Sequence, residues 1–78
     1  MMITVYSKPA CMQCTMTQRA LDRAGLTYEV IDLTQNPDAL TWVTEDLGYS
    51  QAPIVVINDD DHWSGFQPDH IARITANA

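Results

Sequence analysis

MITVYSKPACMQCTMTQRALDRAG, residues 2–25, divides at the loop SKPA. Met2 to Tyr6 is short, rich in β-formers and stops at that loop, which predicts a first strand. From Met12 to Ala24 the chain is free of Gly and Pro, and Cys14, Thr17, Leu21 and Ala24 recur at spacings of three, four and three. That is the period of a helix with one face on a core. Gly25 follows where a helix C-terminus favours a residue able to turn left-handed. The chain's only two cysteines, Cys11 and Cys14, sit where the loop becomes the helix.

Downstream, Thr27 to Leu33, TYEVIDL, has the β-branched and aromatic content of a second strand. Asn36 and Pro37 then supply an N-cap and a first helical position. The helix they start runs to Leu47, with Leu40, Val43 and Leu47 facing inward, Trp42 left open between the two faces, and Gly48 closing it. After SQAP, the unbroken apolar run IVVI at Ile54–Ile57 suits a strand covered on both faces. NDDD at Asn58–Asp61 is a polar turn, His62 to Ser64 returns as a short edge strand, and Pro68 opens a last helix carrying Ile71 and Ile74. The order βαβαββα predicts an α/β fold, a four-stranded mixed sheet flanked by three helices.

A chain of 78 residues has room for one domain, spanning residues 1–78, and a fold this small buries only ~60% of the surface its unfolded chain exposes. Its net charge of −6 removes the attraction to phosphate backbones and anionic headgroups, so nucleic acid and membranes are not expected partners. Three of the four basic residues, Lys8, Arg19 and Arg23, surround the cysteines, whereas eight of the ten acids lie between Glu29 and Asp61. The start MMITVYS has neither the basic leader nor the apolar stretch of a signal peptide, and no run approaches a membrane span, so a cytoplasmic protein is expected. There a cysteine pair is metal-binding, catalytic or redox-cycling rather than a permanent staple.

Residues three apart on a helix are neighbours at roughly 5–6 Å, within the ~4.4–6.8 Å Cα separation that a disulfide needs. A CxxC at a helix start therefore closes and reopens without rearranging the backbone. Cys11 falls at or before the first turn, where unpaired N–H groups and the positive end of the helix dipole favour a thiolate. With Lys8 three residues upstream, Cys11 should ionise below the ~8.5 of a free cysteine, which makes it the expected nucleophile. Cys14 belongs to the buried stripe and suits a resolving thiol. Zinc is disfavoured because His62 and His70 follow no finger spacing; both histidines read as solvated turn and helix residues. Burial of the two cysteines as ordinary small hydrophobes fits the spacing and position less well than a redox role. Pro53 opens the third strand, either through a cis bond or as an ordinary trans residue.

These features together resemble the thioredoxin superfamily in its minimal, glutaredoxin-sized form. Within it, CMQC, QAPIVV and WSGFQPD are similar to the patterns of the NrdH-redoxins, usually CVQC and WSGFRPD. The resemblance spans nearly the whole chain and implies a thioredoxin-like fold and a small thiol–disulfide oxidoreductase. Such a carrier holds no bound cofactor and cycles through a reversible Cys11–Cys14 disulfide. It implies electrons drawn from NADPH through thioredoxin reductase and passed to a class Ib ribonucleotide reductase, by a chain expected to act as a monomer. By the same resemblance Cys11 attacks, Cys14 resolves, and Pro53 is a cis-proline facing them. Lys8, Met12, Gln13 and Ala52 complete the expected partner-binding set, with Ala52 offering backbone groups to a partner peptide. Trp63, Ser64, Gly65 and Phe66 read either as part of that set, in contact with a partner or ordering the site, or as a packed edge strand and turn. Met12 replaces the usual valine, and Gln67 stands where the family has arginine.

Two other functions share the CxxC. A glutathione-dependent glutaredoxin needs cations for the tripeptide's carboxylates, yet no basic residue lies between Arg23 and Arg73, and QAP and SGF replace that family's TVP and Gly-Gly. A general protein disulfide reductase would use the same two sulfurs on other substrates. Redox-sensing transcription regulators of the Spx type also carry a CxxC here but are longer, with extra helical material.

Overall fold

The computed structural model describes Met2–Asn77. Its elements run β1 (Ile3–Ser7), α1 (Met12–Arg23), β2 (Tyr28–Asp32), α2 (Pro37–Thr41), β3 (Ile54–Asn58), β4 (Asp61–Ser64) and α3 (Pro68–Ala76). The strands form one sheet in the order β2-β1-β3-β4, with β1 and β2 parallel and the other pairs antiparallel. This is the mixed sheet with three helices that the order of elements predicts.

The two central strands carry the core on both faces. Ile3 and Val5 of β1, Val55 of β3 and Trp63 of β4 meet Leu21 of α1 and Ile71 and Ile74 of α3 on one side. Ile54 and Val56 meet Leu33 and Val43 on the other, with Tyr6 and Trp42 packed against them. The alternation follows from the pleat, which sends successive side chains to opposite faces. The IVVI run is covered on both sides because β3 lies inside the sheet with a core cluster packed on each face, and Val55 is fully buried.

The second helical segment departs from expectation. A 3-10 turn at Leu33–Gln35 precedes α2, and a π turn at Trp42–Asp46 follows it directly, so the helical backbone does run to its cap at Leu47 but widens from α to π part-way. The Leu47 N–H reaches back five residues to the Trp42 carbonyl at 3.1 Å. Val43 is buried and Leu47 packs against the core as expected, whereas Leu40 is 43% exposed and Trp42 packs on Tyr6 with ring centroids 5.7 Å apart. Asn36 does not cap α2 with its side chain; its amide donates instead to the Asp32 carbonyl at 2.8 Å. The histidines are less solvated than their surroundings in sequence suggest. His62 Nδ1 pairs with the Tyr49 hydroxyl at 2.8 Å, and His70 stacks on Trp63 at 4.7 Å.

Candidate active site

Ala10, at the end of the loop after β1, has φ +56°, a left-handed conformation that costs an alanine of order 1–3 kcal/mol and tends to be kept near functional sites. The chain then enters α1 with Cys11 as its N-cap, in an extended conformation. Cys11 Sγ accepts the Cys14 N–H at 3.1 Å, and the Cys11 carbonyl accepts the Thr15 N–H at 3.2 Å. The first sulfur thus takes the place normally filled by a serine or aspartate oxygen at a helix start. With no acidic residue in the first turn of α1, the unpaired N–H groups and the helix dipole act on this sulfur unopposed and favour its thiolate after reduction.

Cys14, one turn on, is 1% exposed, and Thr17 and Leu21 continue its stripe into the core. The two sulfurs are joined in a disulfide, with Cα atoms 5.2 Å apart, and Cys11 is the more exposed of the pair. The spacing of the motif therefore delivers two sulfurs within bonding reach but in unlike surroundings.

Two clefts meet at Cys11. One, of about 470 Å³, is lined by Ser7, Lys8, Ala10, Met12 and the α1 residues Cys14, Thr15 and Gln18. The other, of about 270 Å³, lies between Met12 and Gln13 on one side and Ser50, Gln51 and Ala52 on the other, with Lys8 again on its wall. Met12, 77% exposed, lines both. Among the described residues Lys8 is the one charged side chain lining either cleft.

The Ala52–Pro53 peptide is cis, and Pro53 is buried at the head of β3. Behind it, the Gly65 N–H donates to the Pro53 carbonyl at 2.8 Å and the Ser64 hydroxyl donates to the Gln51 carbonyl at 2.6 Å. The Phe66 N–H donates to Gln13 Oε1 at 3.0 Å. Trp63 is 4% exposed and belongs to the core beneath this turn. Of the expected residues, Lys8, Met12, Gln13 and Ala52 thus gather around Cys11, whereas Ser64, Gly65 and Phe66 bear on the site through hydrogen bonds. Ser50, Gln51, Thr15 and Gln18 were not among the expected residues; the SQAP turn carried a signal for the first two, in its position just before Pro53. Among the described residues no cluster of His, Cys, Asp and Glu is arranged to hold a metal ion.

A family model described as Glutaredoxin matches residues 3–63. The chain belongs to the glutaredoxin family. Among glutaredoxin relatives, the glutaredoxin-like protein NrdH of Escherichia coli K12 is 38% identical over 74 residues, covering 95% of this chain and 89% of that protein. The gene 56 protein of Mycobacterium phage D29 is 41% identical over 72 residues, covering 92% of this chain and 80% of that protein. The solved structure of NrdH-redoxin from Escherichia coli, a glutaredoxin-like protein with a thioredoxin-like activity profile, matches with a TM-score of 0.87 over 95% of both chains. This glutaredoxin has the thioredoxin-like fold and is of the NrdH kind, a thiol–disulfide oxidoreductase whose redox centre is the Cys11–Cys14 pair.

Proposed function

We propose that this protein is a dithiol electron carrier, reduced by thioredoxin reductase at the expense of NADPH and oxidised by a class Ib ribonucleotide reductase. The asymmetry of the two sulfurs carries the reading. Cys11 caps a helix at the meeting point of two open clefts, and Cys14 is buried one turn behind it. In the donating direction the Cys11 thiolate attacks one sulfur of a partner disulfide, forming a mixed disulfide and releasing a partner thiolate. The Cys14 thiol gives up its proton to that partner thiolate, and its sulfur attacks Cys11 Sγ. The mixed bond breaks, the second partner sulfur leaves as a thiolate that takes a proton from solvent, and two electrons have passed to the partner.

Lys8, Met12 and Ala52 are the residues a bound partner segment would meet in the clefts, with Gln13, Pro53, Ser64, Gly65 and Phe66 supporting them and Trp63 packing from below. The likeness to Escherichia coli NrdH-redoxin, with its thioredoxin-like activity profile, supports thioredoxin reductase over glutathione as the source of electrons. Lys8 is also a single cation, among the described residues lining the clefts, for a tripeptide with two carboxylates. The charge of −6 supports a carrier that acts as a cytoplasmic monomer on protein partners, away from nucleic acid and membranes. The test supplies NADPH with either thioredoxin reductase or glutathione plus glutathione reductase and follows disulfide turnover. Faster turnover with thioredoxin reductase is expected; faster turnover with the glutathione system would overturn the reading.

A further inference from the structure

Gln13 and the Ser64–Phe66 turn lie 53 residues apart in sequence at their point of contact, yet they form one hydrogen-bonded ring around the second cleft. Gln13 Oε1 accepts the Phe66 N–H at 3.0 Å. The next N–H along, from Gly65, holds the Pro53 carbonyl at 2.8 Å, and the hydroxyl before it, from Ser64, holds the Gln51 carbonyl at 2.6 Å. The Gln67 amide closes the turn onto the Ser64 carbonyl at 3.3 Å. Gly65 has φ +84°, and a Cβ placed there would come within 3.3 Å of Gln13 Oε1. The turn is therefore shaped to admit that carboxamide.

Gln13 and the segment Ser50–Ala52 line the same cleft beside Cys11. Gln13 is tied to the turn by the Phe66 bond, and the Gln51–Pro53 edge by the bonds from Gly65 and Ser64. From this we infer that Gln13 is a positioning residue: its carboxamide fixes the Gln51–Pro53 edge relative to Cys11 and so sets how well a disulfide-bearing polypeptide is held. The inference rests on the reading of Cys11 and Cys14 as a dithiol donor to protein disulfides. It leaves the sulfur chemistry to the backbone of the helix start, because the N–H bound to Cys11 Sγ belongs to Cys14 and the Gln13 carboxamide is engaged by Phe66. A hydrogen-bond acceptor that ties together two segments lining one cleft acts on docking, where substrate must meet both. A small disulfide that meets only Cys11 gains nothing from it.

The test compares the parent with Gln13→Met, which keeps the length and loses the acceptor, and Gln13→Glu, which keeps an acceptor oxygen. Gln13 is exposed, so neither change disturbs the core. Reduced protein is reacted with insulin and with 5,5'-dithiobis(2-nitrobenzoate), and Cys11 alkylation by iodoacetamide is followed against pH. The loss of one hydrogen bond predicts that Gln13→Met raises the half-saturating insulin concentration about three- to tenfold. The saturated rate, the small-disulfide rate and the pH midpoint of alkylation each stay close to the parent's, and Gln13→Glu recovers most of the insulin loss. Equal losses on both disulfides, a shifted alkylation midpoint, or insulin kinetics unchanged in Gln13→Met would each overturn the assignment. A parent unable to reduce insulin would instead remove the dithiol-donor reading beneath it.

Discussion

Gly65→Ala is the substitution whose cost the structure itemises most fully. A left-handed conformation costs an L-residue ~1–2 kcal/mol, and Gly65 holds φ +84°. The added Cβ also meets Gln13 Oε1 at 3.3 Å, so the exposed carboxamide swings away and the Phe66 N–H loses its acceptor, a further ~0.5–1.5 kcal/mol. Together these amount to ~1.5–3.5 kcal/mol, set against the roughly 4–12 kcal/mol that a chain of this length commands. Gly25 provides the control. It has φ +74°, and a Cβ there would find nothing within 4 Å, so Gly25→Ala should cost only the backbone share of ~1–2 kcal/mol. Urea melts of both variants give the two values, and Gly65→Ala should also melt ~10–20 °C below the parent. Pairing Gly65→Ala with Gln13→Ala should recover ~1 kcal/mol of non-additivity, because the two changes remove the same bond. A Gly65→Ala cost no greater than that of Gly25→Ala, or strict additivity with Gln13→Ala, would refute the proposed link between the CMQC and SGF segments.

Leu21→Ala removes a side chain that is 0% exposed, from the helix that carries the cysteines, and should cost ~2–5 kcal/mol in a urea melt; a cost under ~1 kcal/mol would place the core elsewhere. Burial, helped by the 2.8 Å bond from the Tyr28 hydroxyl to Asp22 Oδ1, pushes the Tyr28 phenol up to about 12. Its contribution to stability is therefore whole below the unfolded value of ~10 and disappears as pH rises through 12, which ultraviolet titration of Tyr28→Phe against the parent will read as one late-ionising phenol fewer. The bidentate Arg73 pair, at 2.9 Å on both oxygens, holds the Asp61 carboxyl below its ordinary value against the opposing effect of burial. Stability from this pair is present above the unfolded carboxyl value and lost as pH falls through the lower folded one. Arg73→Gln should return Asp61 to the ordinary carboxylate range in an NMR titration.

Local pattern made much of the site legible. The strand–loop–CxxC–helix order is written in a single stretch, because a run of β-formers gives way to a helical period after SKPA, and Cys14 lies in phase with Thr17 and Leu21. The unequal burial of the sulfurs follows from that phase. What stayed hidden depended on contacts distant in sequence or on backbone states without a residue signature. Alanine carries no signal for the φ of +56° at Ala10, and a proline before a strand reads alike for either isomer. The π turn at Trp42–Asp46 contains no Gly or Pro to announce it, and Leu40, in phase with Val43 and Leu47, reads as buried although it is 43% exposed. The Gln13–Phe66 bond joins two motifs 53 residues apart in sequence; nothing in the residues says that a side chain of one satisfies the backbone of the other.

The division of labour between the sulfurs is the central claim, and mass spectrometry of the trapped mixed disulfide tests it most directly. Reduced Cys14→Ser and reduced Cys11→Ser are each mixed with insulin under non-reducing conditions. A persistent covalent adduct through Cys11 in the first variant, and no adduct in the second, is the predicted result. An adduct formed as readily through Cys14 when Cys11 is absent would contradict it.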